Sequence, residues 1–115
     1  MLIRVDPWSD VPLFEQIASA IRGSVASGEL TVGERLPPVR ELGESLGVNM
    51  HTVRAAYAVL RDEGLIEMRR GRSVTVLAGA EEQASVLQLA AALVRGARRL
   101  GFADKAILEL VRTQL

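Results

Sequence analysis

The chain has 115 residues, 49% hydrophobic and 24% charged, a balance that suits one compact domain with a small appendage and excludes a disordered chain. With no cysteine and one histidine, it offers no disulfide frame, no thiolate chemistry and almost nothing to hold a transition metal, so neither cofactor nor enzyme activity is expected. Formal net charge is zero, yet the placement of the charges says more than their sum.

Leu2, Ile3 and Val5 form a short apolar run closed by Asp6-Pro7, read as a brief strand or an extended arm. Arg4 and Asp6 fall where an export signal would carry its apolar core. Unbroken apolar stretches such as Leu89 to Val94 are far short of the ~20 residues of a membrane span; a cytoplasmic protein is expected. Val11, Phe14, Ile17, Ala18, Ile21 and Val25 then recur at three and four residues, predicting a helix with one buried stripe. Asp10 is its expected N-cap, Pro12 suits its first turn, and Gly28 ends it. The segment from Gly33 to Pro38 reads as a loop whose tandem prolines hold it extended.

Val39, Leu42 and Leu46 mark a short second helix, with Pro38 at its start and Gly47 past its end. Asn49 can cap a third helix, whose inward face is Val53, Ala56, Tyr57 and Leu60 and whose stop is Gly64. Two helices joined by so tight a turn make a helix-turn-helix pattern. Leu65 to Arg69 and Ser73 to Leu77 are β-prone runs around Arg70-Gly71-Arg72, a hairpin with Gly71 able to take positive φ at its tip. The expected fold is therefore α+β, mostly α: a winged helix-turn-helix over residues 1–78.

Residues 79–115 are expected to form a two-helix dimerisation region. Val86, Leu89, Ala90, Leu93, Val94, Ala97 and Leu100 line one helix, Gly101 breaks it, and Phe102, Ile107, Leu110 and Val111 line the last. So short a tail does not fold alone. A homodimer interface is expected at Leu89, Leu93, Leu100, Ile107, Leu110 and Val111. Two helices enclose little volume, which favours a packed stripe over a small-molecule effector pocket. Arg95, Arg98 and Arg99 are expected to lay their stems along the helix edge.

Thirteen of the fourteen basic residues are arginine, and seven of these fall between residues 34 and 78. Arginine offers a fixed charge and a planar fork suited to phosphate and guanine. Only Trp8, Phe14, Tyr57 and Phe102 are aromatic, too few for the stacking platforms of single-strand or RNA binders, so duplex DNA is the favoured partner. Trp8 and Tyr57 are read as core or rim packing. The first turn of the third helix, Asn49, Met50, His51 and Thr52, lies off the buried stripe, where a helix-turn-helix presents residues to base edges. Arg54 has no acid three or four residues on, whereas Arg40 has Glu44, a possible surface ion pair. Arg69, Arg70 and Arg72 crowd one hairpin tip, where like charges repel unless an anion is near.

The run from Gly33 to Val76 resembles the DNA-binding domain of the GntR family of bacterial transcription regulators, and the likeness extends over roughly residues 2–77. It is carried by Gly33 to Leu36 before proline, Arg40-Glu41-Leu42, Leu46-Gly47-Val48, Thr52-Val53-Arg54, Glu63-Gly64-Leu65-Ile66 and the wing Gly71. The brief tail and the Asn49-to-Val53 turn are similar to the small YtrA-type subfamily, whose tail is understood as a dimerisation element. The resemblance implies DNA contact at Arg40, His51, Thr52, Arg54, Arg70 and Gly71. It departs from the family where Pro38-Val39 replaces Ser-Glu, and where Met50 replaces a base-reading arginine whose hydrogen bonds it cannot make. The implied function is a repressor binding a palindromic operator as a homodimer. Two other readings are a winged-helix adaptor whose basic wing docks an acidic protein, and the N-terminal part of a larger regulator-enzyme; the polar recognition turn and the two-helix tail, respectively, speak against them.

Overall fold

The computed structural model describes residues 1–69 and 73–115. In chain order it contains α1 (Leu13–Ala26), β1 (Arg35–Leu36), α2 (Val39–Leu46), α3 (Met50–Asp62), β2 (Ile66–Met68), β3 (Val74–Val76), α4 (Ala80–Arg99) and α5 (Asp104–Arg112). The chain divides into two units, Met1–Ser85 and Val86–Leu115. Arg70, Gly71 and Arg72, the expected wing tip, lie outside the described residues.

The first unit is organised around α3, which packs on α1, α2 and β2. Its inward stripe of Val53, Ala56, Tyr57 and Leu60 is fully buried against Ile17, Ile21 and Val25 of the α1 stripe and the neighbouring Leu65 and Ile66. Each buried Val, Leu or Ile contributes about 1.5–3 kcal/mol. At the centre, the Tyr57 hydroxyl donates a 2.6 Å hydrogen bond to the Pro37 carbonyl, tying α3 to the segment between β1 and α2. At the far end of α3, Arg22 of α1 forms a two-pronged ion pair with Glu63, at 3.0 and 2.9 Å. This planar fork-to-carboxylate geometry fixes direction as well as distance.

The helices end as the spacing of glycines predicts. Gly47 caps α2 at φ 70°, and Asn49 caps α3 by accepting a 2.8 Å hydrogen bond from the His51 amide. Gly43, inside α2, is buried for a reason the periodicity does not reveal. A Cβ added there would stand 3.0 Å from the Val48 carbonyl oxygen and 3.3 Å from the Met50 Cα. The absence of a side chain lets α2 lie directly on the turn that launches α3.

Three local expectations are corrected. Asp10 does not cap α1: Pro12 occupies the N-cap, with no side-chain cap hydrogen bond. Gln16 ties the arm down instead, accepting from the Asp6 amide at 2.7 Å and donating to the Asp6 and Val11 carbonyls at 2.9 and 2.8 Å. That clamp fixes an extended arm without a strand, and Trp8, expected on the core or its rim, is 92% exposed. The segment expected as loop contains a strand: β1 pairs antiparallel with β3, Arg35 opposite Thr75 and Leu36 opposite Val74. The sheet order is β1-β3-β2. Leu36, Val74, Val76 and Ile66 are buried, while Arg35, Thr75 and Glu67 share the other face.

In the second unit, Phe102 donates its amide to the Ala97 carbonyl at 3.0 Å across the Gly101 turn, and Arg98 pairs with Asp104 at 3.0 Å. Ala97 and Ile107 are buried, but Val86, Leu89, Leu93, Leu100, Leu108, Leu110 and Val111 remain exposed. No helix among the described residues is long and apolar enough to cross a membrane.

Two outcomes follow for stability. Gly43→Ala sets packing strain of about 1–3 kcal/mol against the ~1 kcal/mol that alanine gains over glycine in a helix, so the melting temperature should fall modestly. Gly43→Val, which keeps the clash and adds volume, should fall further. Burial, with Glu41 nearby, holds the Tyr57 phenol above its ordinary range. The folded chain thus keeps a proton that the unfolded chain releases above about pH 10. The stability from Tyr57 is complete below that pH and declines as pH rises through it. Tyr57→Phe should lose about 1–3 kcal/mol at neutral pH, through the unpaired carbonyl, and the alkaline decline with it. Denaturant midpoints measured from neutral to alkaline pH for both chains check this.

Candidate nucleic-acid interface

The candidate interface is built on the first turn of α3. Val53, Ala56, Tyr57 and Leu60 face the core, so the helical period turns Asn49, His51, Arg54 and Ala55 outward, all exposed. Met50 and Thr52 are half-buried at the edges of this face. The Asn49 side-chain oxygen is committed to the helix cap, leaving its amide group as the donor available to a ligand.

The turn projects between two hollows. One is lined by Arg40, Gly43, Glu44, Gly47, Val48 and Met50, on the α2 side. The other is lined by Leu13, Phe14, Asn49, His51, Thr52 and Ala55, where α1 begins beside α3. Met50 thus belongs to the α2 flank and gives it an apolar wall. Spacing places Phe14 in the apolar stripe of α1 and gives Leu13 no role. Their half-buried position beside Asn49 and His51 makes them a flank of the candidate interface.

The charges divide into free and engaged. Arg40 and Arg54 are exposed and form no ion pair among the described residues; the i to i+4 pair open to Arg40 and Glu44 is not made. Arg69, at the base of the hairpin, leans on Glu67 at 3.1 Å, with both side chains in solvent. Such an exposed pair is worth little and exchanges readily for a stronger anion. The expected contacts Arg70, Gly71 and Arg72 lie outside the described residues. The described residues therefore bring together Arg40, Asn49, Met50, His51, Thr52 and Arg54 around one helix start, with Arg69 on the hairpin. Of the expected dimer residues, Leu89, Leu93, Leu100, Leu110 and Val111 are exposed, whereas Ile107 is buried within the single chain.

The pattern of bacterial regulatory proteins, gntR family, matches residues 13–76. The chain is 39% identical over 75 residues to the HTH-type transcriptional repressor YtrA of Bacillus subtilis, a match covering 65% of this chain and 58% of that protein; it spans little more than half of that relative. Among solved structures, it is similar to YtrA from Sulfolobus acidocaldarius, a GntR-family transcription factor, with TM-score 0.65, 38% identity, and coverage of 82% of this chain and 99% of the other. It is also similar to the AraR DNA-binding domain solved in complex with operator ORX1, with TM-score 0.57, 27% identity, and coverage of 64% and 90%. With the winged helix-turn-helix, the outward recognition turn and the family pattern over more than half its length, this chain belongs to the gntR family of bacterial regulatory proteins, transcription regulators that bind DNA.

Proposed function

We propose that the chain is a homodimeric repressor that grips a palindromic operator in the cytoplasm. The observation that carries the reading is the pair of exposed arginines without ion-pair partners among the described residues, Arg40 and Arg54, flanking the capped start of α3. An arginine that is in no ion pair loses none when it meets a phosphate. Phosphate contacts supply most of the affinity, and Asn49, His51 and Thr52 meet base edges in the major groove. A relative named as a repressor and a similar domain solved on its operator support the same reading.

The dimer rests on the second unit. Leu89, Leu93, Leu100, Leu110 and Val111 expose apolar surface that two short helices do not hide in themselves. A second copy covering it by a twofold axis yields two recognition turns, suited to half-sites about 34 Å apart. Ile107 serves the internal packing of each copy rather than the contact between copies.

Arg54→Ala and Arg40→Ala should each weaken binding to duplex DNA while helix content and melting temperature stay unchanged. A residue that touches only phosphate should lower affinity about equally on all sequences and reduce the salt slope by about one. Titrations of full-length chains at several salt concentrations measure both quantities, and unaltered affinity for both variants at low salt would remove the assignment. For the dimer, Leu89→Asp with Leu93→Asp should yield a folded monomer in sedimentation, because both side chains are exposed in the single chain. Its affinity for a palindrome should drop by about 10²-fold or more as the tethered second half-site is lost. A variant that remains dimeric would move the interface elsewhere.

A further inference from the structure

Between α2 and the hairpin lies a hollow lined by Arg35, Leu36, Pro37, Pro38 and Ser73. It exists because β1 pairs with β3: the register that sets Leu36 opposite Val74 brings Pro37 alongside Ser73. Its floor is fixed. The Pro37 carbonyl holds the buried Tyr57 hydroxyl, and Pro38 is the N-cap of α2. Proline rings are apolar and rigid, so the floor presents a flat non-polar surface that loses no rotamer freedom on contact. On the rim stand an exposed guanidinium, Arg35, and a hydroxyl, Ser73. Arg35 forms no ion pair among the described residues, although Glu67 stands on the same sheet face beyond Thr75 and is engaged by Arg69.

An apolar floor with a fixed cation and a hydroxyl donor on its rim matches a deoxyribose and its phosphate: the sugar lies on the proline rings, and the phosphate oxygens meet the guanidinium and the hydroxyl. Along the chain the hollow neighbours the candidate DNA face: Arg40 lies two residues past the Pro38 cap, and Ser73 immediately precedes β3 of the hairpin. We propose that Arg35, with Pro37, Pro38 and Ser73, forms a seat for the DNA sugar-phosphate backbone between the stretch approached by α2 and the stretch approached by the wing. The seat rests on the DNA-binding reading above and adds to it a contact from β1, an element outside the helix-turn-helix and the hairpin tip. Arg35 reads no base there. It sets the register of the protein on the duplex.

The test uses full-length chains and a random-sequence duplex spanning at least two helical turns, with affinity measured across a salt series. Arg35→Gln should weaken binding about threefold to tenfold at low salt and reduce the salt slope by about one per bound protomer. Arg35→Lys, which keeps the charge, should keep the slope. Melting temperatures of both variants should match the parent, as expected for an exposed side chain without an ion pair. Arg54→Ala in the same series separates the two readings. Loss in Arg54→Ala with parental affinity and slope in Arg35→Gln overturns the seat and leaves the DNA-binding reading standing. A parent chain that does not bind duplex at all overturns both. Weakened binding by Arg35→Gln with an unchanged slope and a lowered melting temperature shows a structural role and overturns the seat.

Discussion

The hydrogen bond from the Tyr57 hydroxyl to the Pro37 carbonyl is the contact on which the first unit depends. Tyr57 is the largest of the fully buried side chains, and its phenol enters the core only because that one acceptor awaits it. A buried hydroxyl without a partner costs more than most single core contacts return. The bond therefore decides where α3 sits against the β1–α2 connection, and with it where both helices of the helix-turn-helix point. The acceptor is held by a proline and followed by another, so the carbonyl has little freedom to follow the phenol. One hydrogen bond thus couples sheet, connection and recognition helix.

Around that anchor the chain separates charge from burial by helical and strand periodicity alone. α3 turns its apolar stripe inward and its arginine outward; β1 turns Leu36 inward and Arg35 outward. One engaged cation, Arg22, lies at the opposite end of α3, half-buried and two-pronged on Glu63, where it locks the helix rather than offering a charge to a ligand. Arg40 and Arg54 stay in solvent and form no ion pair among the described residues. Part of the acidic charge is taken up away from the start of α3, Glu63 by Arg22 and Asp62 by Arg61.

The helices were legible in the sequence because their signals are local. Val53, Ala56, Tyr57 and Leu60 at helical spacing, Asn49 before them and Gly64 after, define α3 without any tertiary information. β1 was not legible. Two residues are too few to show alternation, and the partner that makes them a strand lies some forty residues later in β3. The Asp10 cap failed for a similar reason, since the side chain that ties the arm is Gln16, acting back across ten residues. Gly43 reads in isolation as a mere helix weakness; its purpose exists only once the carbonyl of Val48 has been folded back against it. The recognition turn was legible as polar residues off the core stripe, but the hollow at Arg35 needed the unforeseen strand. What escaped the sequence was the set of contacts that only the fold brings together.

The bare α-carbon of Gly43 has a thermodynamic consequence for recognition. With α2 resting directly on the turn, Gly47 held in the left-handed region and Asn49 closing the cap, the backbone at the start of α3 is fixed by contacts within the chain itself. Its conformational entropy is lost at folding and not again at association, so meeting a ligand is docking rather than coupled folding. The groups left to be ordered are long exposed side chains, each surrendering up to about 2 kcal/mol of rotamer freedom. Discrimination between targets then falls on how well those few side chains are matched, and a poor match is not rescued by a backbone that cannot yield.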